Sequence, residues 1–318
     1  MMARTPPGSG ARADQALALN MRLVAHHELG GFGGLGEGMA MQLAKGGRRI
    51  LWLAHESAPK NFTGVDVTDP AAPRVVVQTD LPHPRMRSNS LDVVGEVMAV
   101  AYQTRDVGLT PAGFDLFDIA VPESPKRIAH FDCSGPHSRG VHAVWFVDGE
   151  FVHMAAGAPD FHPRHPNDDQ CYRIVDVRNP SRPVEAGRWW FPGTREGDDA
   201  PPPKRLDPKF DAGFRAHNTN VYPERPDRAY VGYIDGGAGS VPMGTGLSSA
   251  RASTIHTSLG QSAPLSWMHS SLTTSRLRPK SGSTVWVKPL KGGEWRQFAM
   301  SFGCALSAMS RITAPPSM

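Results

Sequence analysis

Three copies of one short pattern constrain this chain more than anything else in it. Each runs apolar-Asp-apolar, two variable residues, Pro, two variable residues, Pro. They are Val65-Asp66-Val67 with Pro70 and Pro73, Phe117-Asp118-Ile119 with Pro122 and Pro125, and Val175-Asp176-Val177 with Pro180 and Pro183. The aspartates lie 52 and 58 residues apart. A period of roughly 40–55 residues built from short β-rich segments is the mark of propeller blades. The fold class this implies is all-β: a β-propeller of four-stranded blades, incomplete at the C-terminus.

Each copy sits in a unit of four apolar segments separated by turn residues. In the first unit these are 39–44, 49–54, 62–67 and 74–79, with Gly46-Gly47 as a hairpin signal. The second gives 90–94, 97–104, 114–119 and 126–131; the third gives 141–147, 150–155, 172–177 and 184–190. An Asp at a strand end can accept backbone N–H groups of the following turn, and each proline withholds a donor where the ladder stops. The three aspartates are therefore expected to be structural and of comparable cost to remove. A fourth unit opens with 218–222 and 228–234, but no further apolar-Asp-apolar motif follows Gly236-Gly237.

The domain boundaries follow from these units: a disordered leader at 1–19, propeller blades at 20–236, and a Ser-rich basic tail at 237–318. Residues 237–318 carry 16 serines against eight in the 236 before them, and no aspartate. Three readings of the tail stay open: disorder, a reading frame shifted near residue 237, or a distinct small domain. Arg22-Leu23-Val24-Ala25-His26 resembles Arg127-Ile128-Ala129-His130, which suggests that the chain start supplies a closing strand to the last blade.

The net charge of +4 divides unevenly. The tail holds eight Lys/Arg and one acid, Glu294, leaving 26 basic and 29 acidic groups in residues 1–236. The blades are thus mildly acidic, which argues against nucleic acid as a partner. No run of 18 apolar residues exists, so no spanning helix is expected. Three cysteines without a CxxC pair fit a reduced, cytoplasmic setting.

The pattern resembles the LVIVD-repeat family, best in Ile174-Val175-Asp176-Val177 with Pro180 and Pro183, over roughly residues 20–236. That resemblance implies a β-propeller and a binding or interaction scaffold more than an activity. A more distant similarity is to selenium-binding-protein propellers, whose channel histidines are linked to thiol oxidation; no local motif here transfers their residues.

In a propeller the innermost strand of every blade starts near the central channel, so equivalent strand starts converge on the axis. In this chain those positions are Glu37, Asn89 or Ser90, His142 and His217. His142, His217 and Glu37 form an acceptable ligand set for a divalent transition metal (zinc, copper or iron). Without an ion, each His would bond neighbouring backbone or water. Asp160, His162, His165, Asp168 and Asp169 offer metal-like spacing on a loop, but Pro163 and Pro166 point to an extended, solvated turn. His26-His27-Glu28 places neighbouring rings on opposite strand faces. Gly31-Phe32-Gly33-Gly34-Leu35-Gly36 matches the dinucleotide fingerprint but lacks the helix that must follow it; a blade-to-blade linker accounts for it. The insertion 193–214 could be a lid, a partner-docking loop or neutral decoration.

Two functions follow. One is a binding or interaction scaffold, with a small molecule or a protein at the propeller face. The alternative is a metal-dependent oxidoreductase or hydrolase using the channel histidines.

Overall fold

The structure is a computed structural model that describes residues 23–32, 35–243, 283–287 and 296–300. Of these, 35–68 and 74–243 belong to one compact unit and the rest to a second.

The larger unit is built of four antiparallel sheets in chain order. The first joins β1 (Leu35–Leu43), β2 (Arg49–His55), β3 (Lys60–Asp66) and β4 (Arg74–Asp80), each paired to the next. In the second, β5 (Met86–Arg87) and β6 (Leu91–Val94) both lie along β7 (Val97–Thr104), followed by β8 (Gly113–Asp118) and β9 (Lys126–Asp132). β5 and β6 are one inner strand interrupted at Ser88–Ser90. The third sheet is β10 (Val141–Trp145), β11 (Phe151–Ala156), β12 (Cys171–Asp176) and β13 (Val184–Trp189). The fourth has three strands, β14 (Ala216–Tyr222), β15 (Arg225–Tyr233) and β16 (Gly237–Pro242). In the smaller unit, β17 (Ser283–Val287) pairs with β18 (Arg296–Met300).

Successive sheets pack face to face, and the inner strands β1, β6, β10 and β14 are neighbours in that order. Ile50, Trp52, Phe62, Met98 and Tyr102 fill the space between the first two sheets. Phe114, Val144, Phe146 and Met154 fill the next, and Tyr172, Ile174, Val231 and Tyr233 the third. Sheets stacked radially with their first strands innermost are propeller blades. Burying Trp52 and Phe62 completely is worth about 2–3 kcal/mol each. The indole N–H of Trp52 donates to Gln42, whose amide donates to Ile119 of the neighbouring blade, at 3.0 and 2.9 Å. The buried polar atoms are thereby satisfied across the blade boundary.

The repeat has one structure three times over. Asp66, Asp118 and Asp176 each accept the N–H two residues on, from Thr68, Ala120 and Arg178, at 2.9–3.0 Å. The residue after each Asp donates back to the start of the second strand: Val67 to Arg49, the first residue of β2, and Ile119 and Val177 to Glu96 and Glu150, just before β7 and β11. The turn between the prolines closes identically, with Ala72, Ser124 and Arg182 donating to Asp69, Val121 and Asn179. The pairing of third and fourth strands slips at the same place each time, just before Val65, Phe117 and Val175. The three aspartates differ in surroundings, however. Asp66 is 9 % exposed and also meets Arg48, whereas Asp118 lies at the surface. Equal cost at the three sites is therefore not what the structure supports.

The fourth sheet runs past Gly236, where the sequence motif fades. β16 pairs with β15 as third strands do, and Arg228 faces Pro242 where Phe151 faces Asp176. Met243 donates to Asp227 just as Val177 does to Glu150. Pro242 thus stands at the register position of the repeat aspartate, and its backbone follows the blade without the Asp. Residues 23–26 form no strand. Among the described residues no strand pairs with 23–26, and without such a partner an extended segment forms no ladder. The leader at 1–19 and most of 244–318 lie outside the described residues.

Candidate metal centre at the blade hub

The hub residues are aimed by irregularities in the inner strands. β1 and β2 pair as Leu35↔His55 and Met39↔Leu53, so the register slips across Glu37. β10 slips between Val141 and Ala143, which sets His142 out of the ladder. β14 slips between Ala216 and Asn218, which does the same for His217. A bulge frees one residue from pairing and redirects its side chain. Three blades use it at one position, with the result that residues far apart in the chain meet.

They meet closely. Nε2 of His142 lies 2.9 Å from Nε2 of His217, and the two rings are 4.3 Å apart between centroids. The Glu37 carboxylate reaches to 3.9 Å from each of those nitrogens. Among the described residues these three are the group of His, Cys, Asp and Glu whose donor atoms converge within 4.8 Å. His142 is buried, His217 half-buried and Glu37 exposed, so the group opens to solvent on the carboxylate side. Burial, followed by the proximity of His217, pushes the His142 imidazole down to about 3, which leaves it neutral at pH 7.

Asn89, the second blade's residue at the hub, is fully buried and serves as a staple. Its carbonyl accepts the N–H groups of Glu37 and Gly38 at 2.7 and 3.0 Å, and its amide donates to the His142 carbonyl at 3.3 Å. Ser90 Oγ accepts from Val144 N at 3.1 Å. Gly36 and Gly38 are required by this contact: a Cβ on Gly38 would lie 2.1 Å from Leu91 N, and one on Gly36 2.6 Å from the Asn89 carbonyl. The glycines around Glu37 therefore sit in β1 against a neighbouring blade, and a strand, not a helix, contains Gly36.

The other candidate clusters are paired elsewhere. Asp168, buried, binds Arg205 through both oxygens at 2.7 and 2.9 Å and accepts Phe214 N at 2.8 Å. Asp169 lies between Arg139 at 2.7 Å and Arg215 at 3.0 Å, and Asp160 pairs with Arg188 at 2.7 Å. His162 packs against the His137 ring, and His165 accepts Asn167 N at the start of a short 3-10 turn. Asp168 and Asp169 are thus buried against arginines and not solvated as the sequence suggested, whereas Asp160 pairs with Arg188 at the exposed surface expected of this loop. The insertion 193–214 folds onto this same loop, where Arg164 donates to the carbonyls of Gly193, Asp198 and Ala200. In the smaller unit His27 accepts Leu29 N at 2.9 Å. Cys133 and Cys171 are fully buried, and burial pushes their thiols up to about 11 and about 12, so neither is a ready thiolate.

Sequence reasoning missed Gln103 and Arg87. Gln103 is 3 % exposed, its Oε1 lies 3.1 Å from His142 Nδ1, and Arg87 holds the same oxygen at 2.6 and 3.0 Å. A glutamine in the otherwise apolar run of β7 was the available signal.

No helix of the described residues is long and apolar enough to cross a membrane. No family model matches the chain, and no curated protein matches it. A solved structure that matches is the β-propeller domain of Cps50 (Swd1) from Myceliophteria thermophila, at 12 % identity and a TM-score of 0.38. That match covers 67 % of this chain and 54 % of the other, so the chain spans about half the length of the structure it matches. The sheets described above establish the fold on their own: this is a β-propeller protein whose inner strands bring two imidazoles and a carboxylate together.

Proposed function

We propose that this chain is a ligand-binding β-propeller whose hub takes a divalent transition metal ion through His142, His217 and Glu37. The observation that carries this reading is the approach of two imidazole nitrogens to 2.9 Å, with a carboxylate 3.9 Å from each. A neutral, buried His142 offers a lone pair at pH 7, the state a metal ligand needs. Two histidines and one carboxylate suit iron(II), zinc or copper and leave coordination positions open toward solvent. A bound ion there would polarise a substrate oxygen or activate a water, the chemistry of a metal-dependent oxidoreductase or hydrolase acting on a small molecule. Membership of the LVIVD-repeat type is supported by the three equivalent Asp-Pro-Pro turns. The selenium-binding-protein likeness has only the presence of hub histidines behind it. The leader at 1–19, the blades from residue 20 and a tail beyond them belong to this same proposal, with the blade–tail boundary moved from 237 to after β16.

The second reading is an interaction scaffold without a metal. It is favoured by the same 2.9 Å contact, because one imidazole N–H can donate to the other across that distance with no ion. Elemental analysis of the purified protein separates the two. About one equivalent of metal in the wild type, lost in His142→Ala and in His217→Ala at unchanged melting temperature, is the expected result. Metal-free wild type that also takes up no added zinc, iron(II) or copper would refute the metal reading and leave the scaffold.

A further inference from the structure

The His142 ring is held from behind by a chain of three side chains. Arg87 on β5 lies directly across the ladder from Gln103 on β7. The Gln103 backbone also bridges to Gly140, two residues before His142. Gln103 is thereby placed between the inner ends of the second and third blades, with its amide against the imidazole. Arg87 in turn pairs with Glu56.

The direction of these bonds can be read. Arginine only donates, so the Gln103 atom that faces Arg87 Nε and Nη2 must be the carbonyl oxygen. That same oxygen faces His142 Nδ1 at 3.1 Å. An oxygen cannot donate, so Nδ1 must carry the ring proton. A neutral imidazole has one N–H, so its Nε2 is left as a lone pair turned to the hub.

We propose that Gln103 is a positioning residue which, oriented by Arg87, locks His142 in the Nδ1–H tautomer and presents Nε2 to the hub as an acceptor. In the metal-free protein this makes His142 the acceptor in the His–His contact, with His217 donating from Nε2 and its Nδ1 facing the Asn218 amide at 2.6 Å, which must then be turned to present its NH2. With an ion bound it makes His142 a ready ligand, and that second half rests on the metal reading above. Outer partners of this kind typically alter metal affinity by about 10–100-fold.

The tautomer is measured without any metal, by long-range proton–nitrogen correlation on uniformly labelled, metal-free protein, with the His142 signals identified by their loss in His142→Ala. The expected wild-type pattern is a protonated Nδ1 and an unprotonated Nε2. Gln103→Leu, which removes the acceptor, should lose that preference and bind cobalt(II) roughly tenfold more weakly. Gln103→Glu, which keeps an acceptor beside Arg87, should retain both. A wild-type Nε2–H tautomer overturns the proposal without needing any variant to fold. So does an Nδ1–H tautomer that persists in folded Gln103→Leu. A correct tautomer in a protein that takes up no metal upholds the Gln103 assignment and overturns only the metal reading.

Discussion

His142 and His217 are 75 residues apart in sequence, yet their Nε2 atoms lie 2.9 Å from each other. Each stands at the slipped position of its inner strand, so the contact is produced by matching irregularities in two blades. Glu37 completes the group from a third blade but is half exposed and 1 Å more distant.

That asymmetry predicts a ranking. Cobalt(II) affinity, followed by its visible absorption, should fall at least about 100-fold in His142→Ala or His217→Ala. It should fall less, about tenfold, in Glu37→Gln, because water can replace an exposed carboxylate oxygen more easily than a buried imidazole. A Glu37→Gln variant as impaired as the histidine variants would mean that the carboxylate is the dominant ligand.

Gly38 should be among the least replaceable residues of the first blade. An added methyl would lie 2.1 Å from Leu91 N, against backbone that is itself tied to Glu37 and Gly38 through Asn89. Gly38→Ala is expected to cost about 3 kcal/mol or more and to displace Glu37. Gly46→Ala is the control: its φ of +76° is unfavourable for alanine, but no atom lies within 4 Å. It should cost only about 1 kcal/mol. Urea unfolding of both variants decides the point, and equal losses would discard the steric account.

The three repeat aspartates should not be equivalent. Asp66 accepts Thr68 N and Oγ1 and binds Arg48, and these contacts, the Thr68 hydroxyl first, hold its carboxyl down at about 2. Asp66→Ala should cost on the order of 2 kcal/mol. Asp118→Ala removes a turn bond at an exposed site and should cost about 0.5–1 kcal/mol. Asp176→Ala should fall near Asp118, since its extra partner Arg178 is a surface pair of little worth. Three equal losses in chemical denaturation would contradict this order.

Much of this architecture was legible in the residues, for identifiable reasons. Third strands and their turns announced themselves because the Asp and both prolines each do a separate backbone task at a fixed offset. Hub positions were legible because strand starts in a propeller share one location. The bulges that turn Glu37, His142 and His217 inward were not, since register slips leave no fixed residue signature. β16 escaped notice because its backbone keeps the blade register while Pro242 stands where an Asp was sought. The arginine pairing of Asp168 and Asp169 was equally hidden: Arg205, Arg139 and Arg215 are remote in sequence and are delivered by loops.

His153 gives the fold a defined acid response. It lies fully buried on β11, its Nδ1 is 2.8 Å from the Tyr172 hydroxyl, and burial pushes its imidazole down to about 4. In the unfolded chain the same group titrates near 6.5. Between those values the unfolded state takes up a proton that the folded state refuses, so stability must fall as pH falls through that window. The contribution is intact above about pH 6.5 and is lost progressively down to about pH 4. Asp92 acts in the opposite sense: burial raises its carboxyl to about 6, so the native state binds a proton there first and gains stability on acidification. Comparing wild type with His153→Gln cancels the Asp92 term. Urea midpoints measured at pH 7, 6, 5 and 4 should decline more steeply in the wild type, with the difference opening below pH 6.5. Parallel midpoints would mean that His153 protonates in the folded state as readily as in the unfolded one, and that burial does not enforce its neutrality.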